Sequence, residues 1–179
     1  WCYTENNQFR PASEILCDLV DIVSKNGCLL LNVGPKADGS ISEEDAEVLL
    51  HIGEWMKVNG EAIYNTKTWR KYGEGPTQVV DGQFSDSIKK NFTSEDFRFT
   101  TAGGYLYATA LKCSDNGTYC IKSLGEQDAS KQANFHGIIR NVEVLGGEAK
   151  AEWSRDEKGL HITSGKKSKD PIVFKIKID

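Results

Sequence analysis

The hydrophobic and polar positions change period along this chain. Between residues 11 and 24, Ile15, Leu16, Leu19, Val20, Ile22 and Val23 recur at spacings of three and four, which predicts an amphipathic helix with one buried stripe. Pro11 suits its first turn, where a missing N–H is no loss, and Asn26-Gly27 suits its end, where the backbone turns left-handed. Cys28-Leu29-Leu30-Leu31-Asn32-Val33 then reads as an apolar run rather than an alternation, the pattern of a strand covered on both faces inside a parallel sheet. After a turn-rich stretch at 34–40, Ser42 with Asp45 three residues on predicts a capped helix start. Val48, Leu49, Ile52, Trp55 and Met56 supply that helix's apolar face, and Asn59-Gly60 its end. One strand cannot make a parallel sheet, so this half is expected to dock onto strands outside these residues.

Further on, the period becomes two. Phe97 and Phe99 alternate with polar neighbours, as do Val142 and Val144, Ala149, Ala151 and Trp153, and Leu160 and Ile162. The last run is the clearest, with Ile172, Phe174, Ile176 and Ile178 on one side and Lys175 and Lys177 on the other. Glycine-bearing turns at these intervals predict a small antiparallel β-sandwich. Asn116-Gly117 is a two-residue hairpin signal. If those two residues form the turn, Cys113 lies opposite Cys120, within disulfide reach, and the pair is a candidate bond in an oxidising compartment.

Charge divides the chain in the same place as the pattern. Residues 1–69 carry 5 basic and 11 acidic side chains, whereas residues 70–179 carry 17 and 15. A domain boundary is therefore placed between 69 and 70, with the glycine- and proline-bearing stretch 70–76 read as a linker. The overall charge of −4 leaves no basic surplus for a phosphate backbone, which argues against nucleic-acid binding. No apolar run approaches the roughly 20 residues that cross a bilayer, so no membrane span is expected. The chain opens on Trp1 and has a single methionine, Met56, so a processed chain or an excised piece is the expectation. Five cysteines and three histidines show no metal-ligand spacing, and the cysteines read mainly as small buried hydrophobes.

Residues 18–34, Asp-Leu-Val-Asp-Ile-Val-Ser-Lys-Asn-Gly-Cys-Leu-Leu-Leu-Asn-Val-Gly, followed by Pro35, resemble the last barrel strand region of the α-L-fucosidases of glycoside hydrolase family 29. Gly53-Glu54-Trp55-Met56-Lys57-Val58-Asn59-Gly60-Glu61-Ala62-Ile63-Tyr64 continues the likeness. Phe97-Arg98-Phe99-Thr100 and Leu106-Tyr107-Ala108 resemble the opening strands of that family's sandwich domain. Cys28 departs from the pattern, since the family usually has Asn there. The resemblance implies an α/β plus all-β chain: the C-terminal end of a (β/α)8 barrel in residues 1–69, with its last strand at 28–33, then a small antiparallel β-sandwich in residues 70–179.

It also implies a retaining exo-α-L-fucosidase working without metal or other cofactor, through a covalent glycosyl-enzyme intermediate. That chemistry needs two carboxyl groups about 5–5.5 Å apart. In the family both lie on earlier barrel strands or loops, so this stretch alone is expected to be inactive. The implied partners are fucosylated glycans and the remainder of the barrel, with self-association through the bared strand, and an exported compartment is favoured. In the family an aromatic residue lines the fucose pocket where Trp1-Cys2-Tyr3 falls, so Trp1 is the substrate-binding candidate; the other reading is a terminal side chain that fills a gap. Asp38, Glu43, Glu44 and Asp45 follow the strand, on the face where barrel sites form, but read as helix-capping charges. His51, on an apolar helix, reads as structural. The sequons at Asn91 and Asn116 permit glycosylation, and Lys166, Lys167 and Lys169 read as a solvated loop. The alternative function is a non-catalytic carbohydrate-binding or structural β-sandwich module.

Overall fold

A computed structural model describes residues 3–79, 90–126, 135–147 and 150–179. Two helices, α1 (Ala12–Ser24) and α2 (Glu43–Asn59), precede eight strands: β1 (Lys67–Glu74), β2 (Phe97–Ala102), β3 (Tyr105–Ala110), β4 (Thr118–Ile121), β5 (Ile139–Val144), β6 (Glu152–Asp156), β7 (Gly159–Thr163) and β8 (Ile172–Ile178). Their ladders are antiparallel and form a five-stranded sheet, β1-β2-β3-β8-β5, facing a three-stranded sheet, β4-β7-β6. The predicted sandwich is present. The two-residue alternation is its cause: Phe97, Phe99, Leu106, Ala108, Ile172, Phe174 and Ile176 point from the larger sheet into a core completed by Tyr119, Ile121, Leu160 and Ile162 from the smaller.

The opposite face of the larger sheet is covered by the helices. Leu16, Cys17 and Val20 of α1 and Trp55 of α2 pack with Tyr107, Leu111, Leu145 and Val173. The molecule is thus helix on sheet on sheet. Pro11 caps α1, its carbonyl accepting from the N–H groups of Glu14 and Ile15, and Asn26 ends the helix at φ 65°, as its sequence predicted. At α2 the Ser42 hydroxyl accepts from the Asp45 N–H at 3.1 Å and donates to the Asp45 carboxylate at 2.9 Å. Trp55 Nε1 donates to the Pro171 carbonyl at 2.9 Å, and His51, one turn earlier, meets Asp170 at 2.8 Å. His51 therefore latches α2 to the loop before β8.

Three expectations are corrected. Residues 67–74 form β1, so the stretch read as a linker from Arg70 is for the most part an edge strand of the sandwich. Asn116-Gly117 does make a turn, with Gly117 at φ 76°, but the turn carries the chain from β3 in one sheet to β4 in the other. β4 pairs with β7 and not with the residues before the turn, so Cys113 and Cys120 are not opposed and both are free thiols. Residues 28–33 belong to no described ladder. A parallel strand needs neighbours for its hydrogen bonds, and no described strand precedes β1. Ala149 lies outside the described residues.

The layers are locked by charge. Arg98 on β2 is 4% exposed and its Nε donates to Asp21 on α1, which also accepts from Lys25 at 2.9 Å. A second guanidinium nitrogen donates to the Phe97 carbonyl, and the group lies between the rings of Tyr72 and Phe92. Burial pushes the Asp21 carboxyl up, but Arg98 and Lys25 outweigh it and hold the pKa below the usual range. Arg98→Ala is therefore expected to cost roughly 3–5 kcal/mol in urea unfolding, because it strands a buried carboxylate. A depressed folded pKa means the stabilisation is present above the unfolded value of about 3.9 and is lost as pH falls through the folded value. Acid titrations of stability should therefore fall less steeply below about pH 4 in Asp21→Asn than in the wild type.

Candidate functional site

The turn-rich stretch after residue 33 carries the acidic groups that could do chemistry. Asp38 is exposed; its carboxylate accepts from the Ser40 hydroxyl at 2.7 Å and the Ser40 N–H at 3.0 Å, which lowers its pKa. Asp45 is engaged with the Ser42 cap, and Glu43 and Glu44 lie on the first turn of α2. These are the capping charges their positions predicted. Asp18 is buried but paired with Arg10 at 2.8 Å and Lys90 at 2.6 Å. Trp1 lies outside the described residues.

Beneath this stretch, residues 28–33 are covered on one flank only. Leu31 and Val33 close a cleft of about 60 Å³ with Phe9, Ile15, Val48 and Leu49. Leu29 and Val33 are half-buried, whereas Cys28, Leu30, Leu31 and Asn32 are exposed, Leu30 by 95% and Leu31 by 39%. The run was expected to be apolar on both sides, and its bare side is where further strands would have to lie. Ile41, Leu50 and Val58 add to the exposed apolar surface of the helical half.

Among the described residues of the sandwich, Cys120 and His161 bring reactive side-chain types together. On its smaller sheet Cys120 lies opposite His161, whose ring is 2.8 Å from Asp156. Burial and then the Glu74 carboxylate push the Cys120 thiol up, the reverse of what a nucleophilic cysteine needs. Among the described residues no group of three or more His, Cys, Asp or Glu is placed to hold a metal, and no helix is long and apolar enough to cross a membrane. Sequence reasoning missed Arg155 of β6. Its guanidinium donates at 2.7–3.0 Å to the carbonyls of Leu124, Gly125, Phe135 and Gly137, and it lies over the Phe135 ring. Partners 18 to 31 residues away leave no local signal of such a staple.

The family model for α-L-fucosidase matches residues 1–61. Tissue α-L-fucosidase of Mus musculus is 34% identical over 159 residues, covering 87% of this chain and 29% of that protein. Plasma α-L-fucosidase of Homo sapiens is 50% identical over 101 residues, covering 56% of this chain and 21% of that protein. The fold aligns with the crystal structure of Thermotoga maritima α-fucosidase in complex with a mechanism-based inhibitor, with a TM-score of 0.70 at 28% identity over 98% of this chain and 37% of that one. The chain belongs to the α-L-fucosidase family. It spans less than a third of the length of the curated relatives named here. The fucosidase-like architecture of barrel end plus sandwich accounts for the one-sided run at 28–33: the described helices cover it on one side only.

The exposed thiol of Cys28 and the corrected hairpin give a chemical test. Cys28 is exposed, whereas Cys17 is buried, donates to the Leu111 carbonyl, and has its pKa pushed up to about 12 by burial and then by Asp18. Alkylation of the native, unreduced protein is expected to label Cys28 first and Cys17 only on unfolding. Mass mapping after denaturation should find Cys113 and Cys120 both alkylated without prior reduction.

Proposed function

We propose that the chain is the C-terminal portion of a retaining exo-α-L-fucosidase, which releases terminal α-L-fucose from fucosylated glycans. The observation that carries this reading is the alignment of nearly the whole chain, helices and both sheets together, with a solved α-fucosidase. In this reading residues 1–69 supply the last helix–strand–helix of a (β/α)8 barrel. The strand at 28–33 is a stave whose bare flank packs on the preceding strands, and residues 70–179 brace it from outside. The Asp21–Arg98 pair and the Trp55–Pro171 hydrogen bond fix the brace to the barrel's helices.

The chemistry of retention needs one carboxylate as nucleophile and another carboxyl as acid and base. Asp18, Asp21, Asp38 and Asp45 are committed to ion pairs or caps. In this reading the reacting carboxyl groups come from the remainder of the barrel, as the family resemblance implies, and Trp1 is the residue proposed to line the sugar pocket. A bracing role for the sandwich is also supported by Tyr105 on its outer face. The ammonium groups of Lys175 and Lys177 lie 4.5 and 4.7 Å from that ring's centre, so the ring is not a free platform for a sugar.

The test compares this chain with the full-length polypeptide that contains it, using an aryl α-L-fucoside. The full-length protein is expected to release the aryl group with retained anomeric configuration, and the 19.9 kDa chain alone to show no turnover above buffer. In sedimentation the chain alone is expected to self-associate with rising concentration, because Leu30 and its neighbours are uncovered. Turnover by the short chain at a rate comparable to the full-length protein would sink the reading.

A further inference from the structure

Asn116-Gly117-Thr118 lies where the chain crosses from β3 in the larger sheet to β4 in the smaller, with Asn116 and Thr118 both exposed. The Asn116 carboxamide is held by one of its two polar atoms. Its Oδ1 accepts from the Ser114 hydroxyl at 2.6 Å, the Thr118 N–H at 3.0 Å and the Thr118 hydroxyl at 2.7 Å. A backbone N–H only donates, so the atom it meets is the carboxamide oxygen and the orientation of the amide is fixed. Among the described residues the nitrogen, Nδ2, has no hydrogen-bonding partner. Gly117 keeps the turn in place. Its carbonyl accepts from the Ser164 N–H at 2.8 Å, its φ is 76°, and a Cβ there would stand 2.5 Å from the Ser164 carbonyl oxygen.

We propose that Asn116 is a site of N-glycosylation, its Nδ2 taking an oligosaccharide from a lipid-diphosphate-linked donor in an exported compartment. The bond from Nδ2 to the sugar's anomeric carbon forms as the bond from that carbon to the phosphate oxygen breaks. The electron pair leaves with the lipid diphosphate, and Nδ2 gives up one proton. Thr118 supplies the hydroxyl two residues on that this transfer requires. Turn and modification use different atoms of Asn116, so the folded chain keeps its three hydrogen bonds to Oδ1 with a glycan on Nδ2. The surroundings leave room for one. An open groove of about 750 Å³ lined by Lys112, Ser114, Asp115, Lys167, Ser168 and Lys169 reaches the residue before Asn116 and offers polar surface to a sugar. The helices cover one face of the larger sheet and the smaller sheet the other, so β4 lies in the layer farthest from the barrel's helices, where a glycan obstructs no barrel contact.

The experiment maps intact glycopeptides by mass from the full-length polypeptide containing this chain, secreted by eukaryotic cells. Most molecules are expected to carry an oligosaccharide on the peptide that contains Asn116. Intact glycopeptides are read, and not the aspartate left by enzymatic deglycosylation, because an Asn-Gly pair also converts to aspartate unaided. Thr118→Ala is expected to abolish the modification and Thr118→Ser, which restores the hydroxyl, to retain it. An Asn116 peptide without sugar in most wild-type molecules overturns the assignment, as does a glycan at Asn116 that persists in Thr118→Ala. The wild-type map decides alone should the Thr118 variants fail to fold. A glycan at Asn91 falls on a different peptide and is scored apart. Turnover of an aryl α-L-fucoside bears on the fucosidase reading only, so the two fail separately.

Discussion

The architecture depends on burying one guanidinium and one carboxylate between a helix and a sheet. Arg98 projects from β2 away from the aromatic core, to the face where α1 lies, and Asp21 meets it there. Neither charge could be left dry alone, since an unpaired buried charge costs several kcal/mol. The helix must therefore sit at one height and one rotation on the sheet. Lys25, one turn along α1, adds a second cation to Asp21, and the Tyr72 and Phe92 rings pack around the guanidinium. Apolar contacts at Leu16, Val20 and Trp55 give the interface its area. The ion pair gives it register, because apolar side chains slide past one another at little cost and a desolvated charge pair does not.

That register has consequences for residues 28–33. Once α1 and α2 are fixed on the outer face of the sandwich, the chain between them can be covered only from the helix side. Val33 takes most of that cover, Leu31 lines the same cleft at 39% exposure, and Leu30 is left bare. An exposed leucine in a run of four apolar residues is unfavourable in water, and an uncovered strand leaves backbone groups without ladder partners. In the proposed reading this surface has a physical use: it is where a barrel closes. The sandwich has its own core of phenylalanine and isoleucine, and in the same reading it anchors an element that is incomplete without its neighbours.

The strands were legible because their alternation is strict. Ile172, Phe174 and Ile176 face the core while Lys175 and Lys177 lie on the opposite face, and a one-residue slip of β8 against β3 and β5 would turn the lysines into the core. The helices were legible from their spacing and from the Ser42 cap. The hairpin at Asn116-Gly117 misled because the turn residues specify a local reversal and not the sheet that the next strand joins. β4 crosses to the smaller sheet because Tyr119 and Ile121 are needed on the far side of the core. With it went the Cys113–Cys120 pairing. The stretch after Trp69 looked like a linker for a similar reason: Lys67 through Glu74 is polar and largely exposed, as edge strands are, and only Trp69 packs against the core.

Period, capping chemistry and the recognisable run around residues 18–34 were enough, as sequence, to settle the two helices, the antiparallel strands and the kinship, because each is written in residues close together along the chain. Tertiary structure alone decided which sheet each strand enters, that β1 is an edge of the sandwich, that Asp21 answers Arg98 across 77 residues, and which flank of 28–33 stays uncovered. Those outcomes depend on contacts between distant segments and on the desolvation of paired charges, and neither leaves a periodic mark in the sequence.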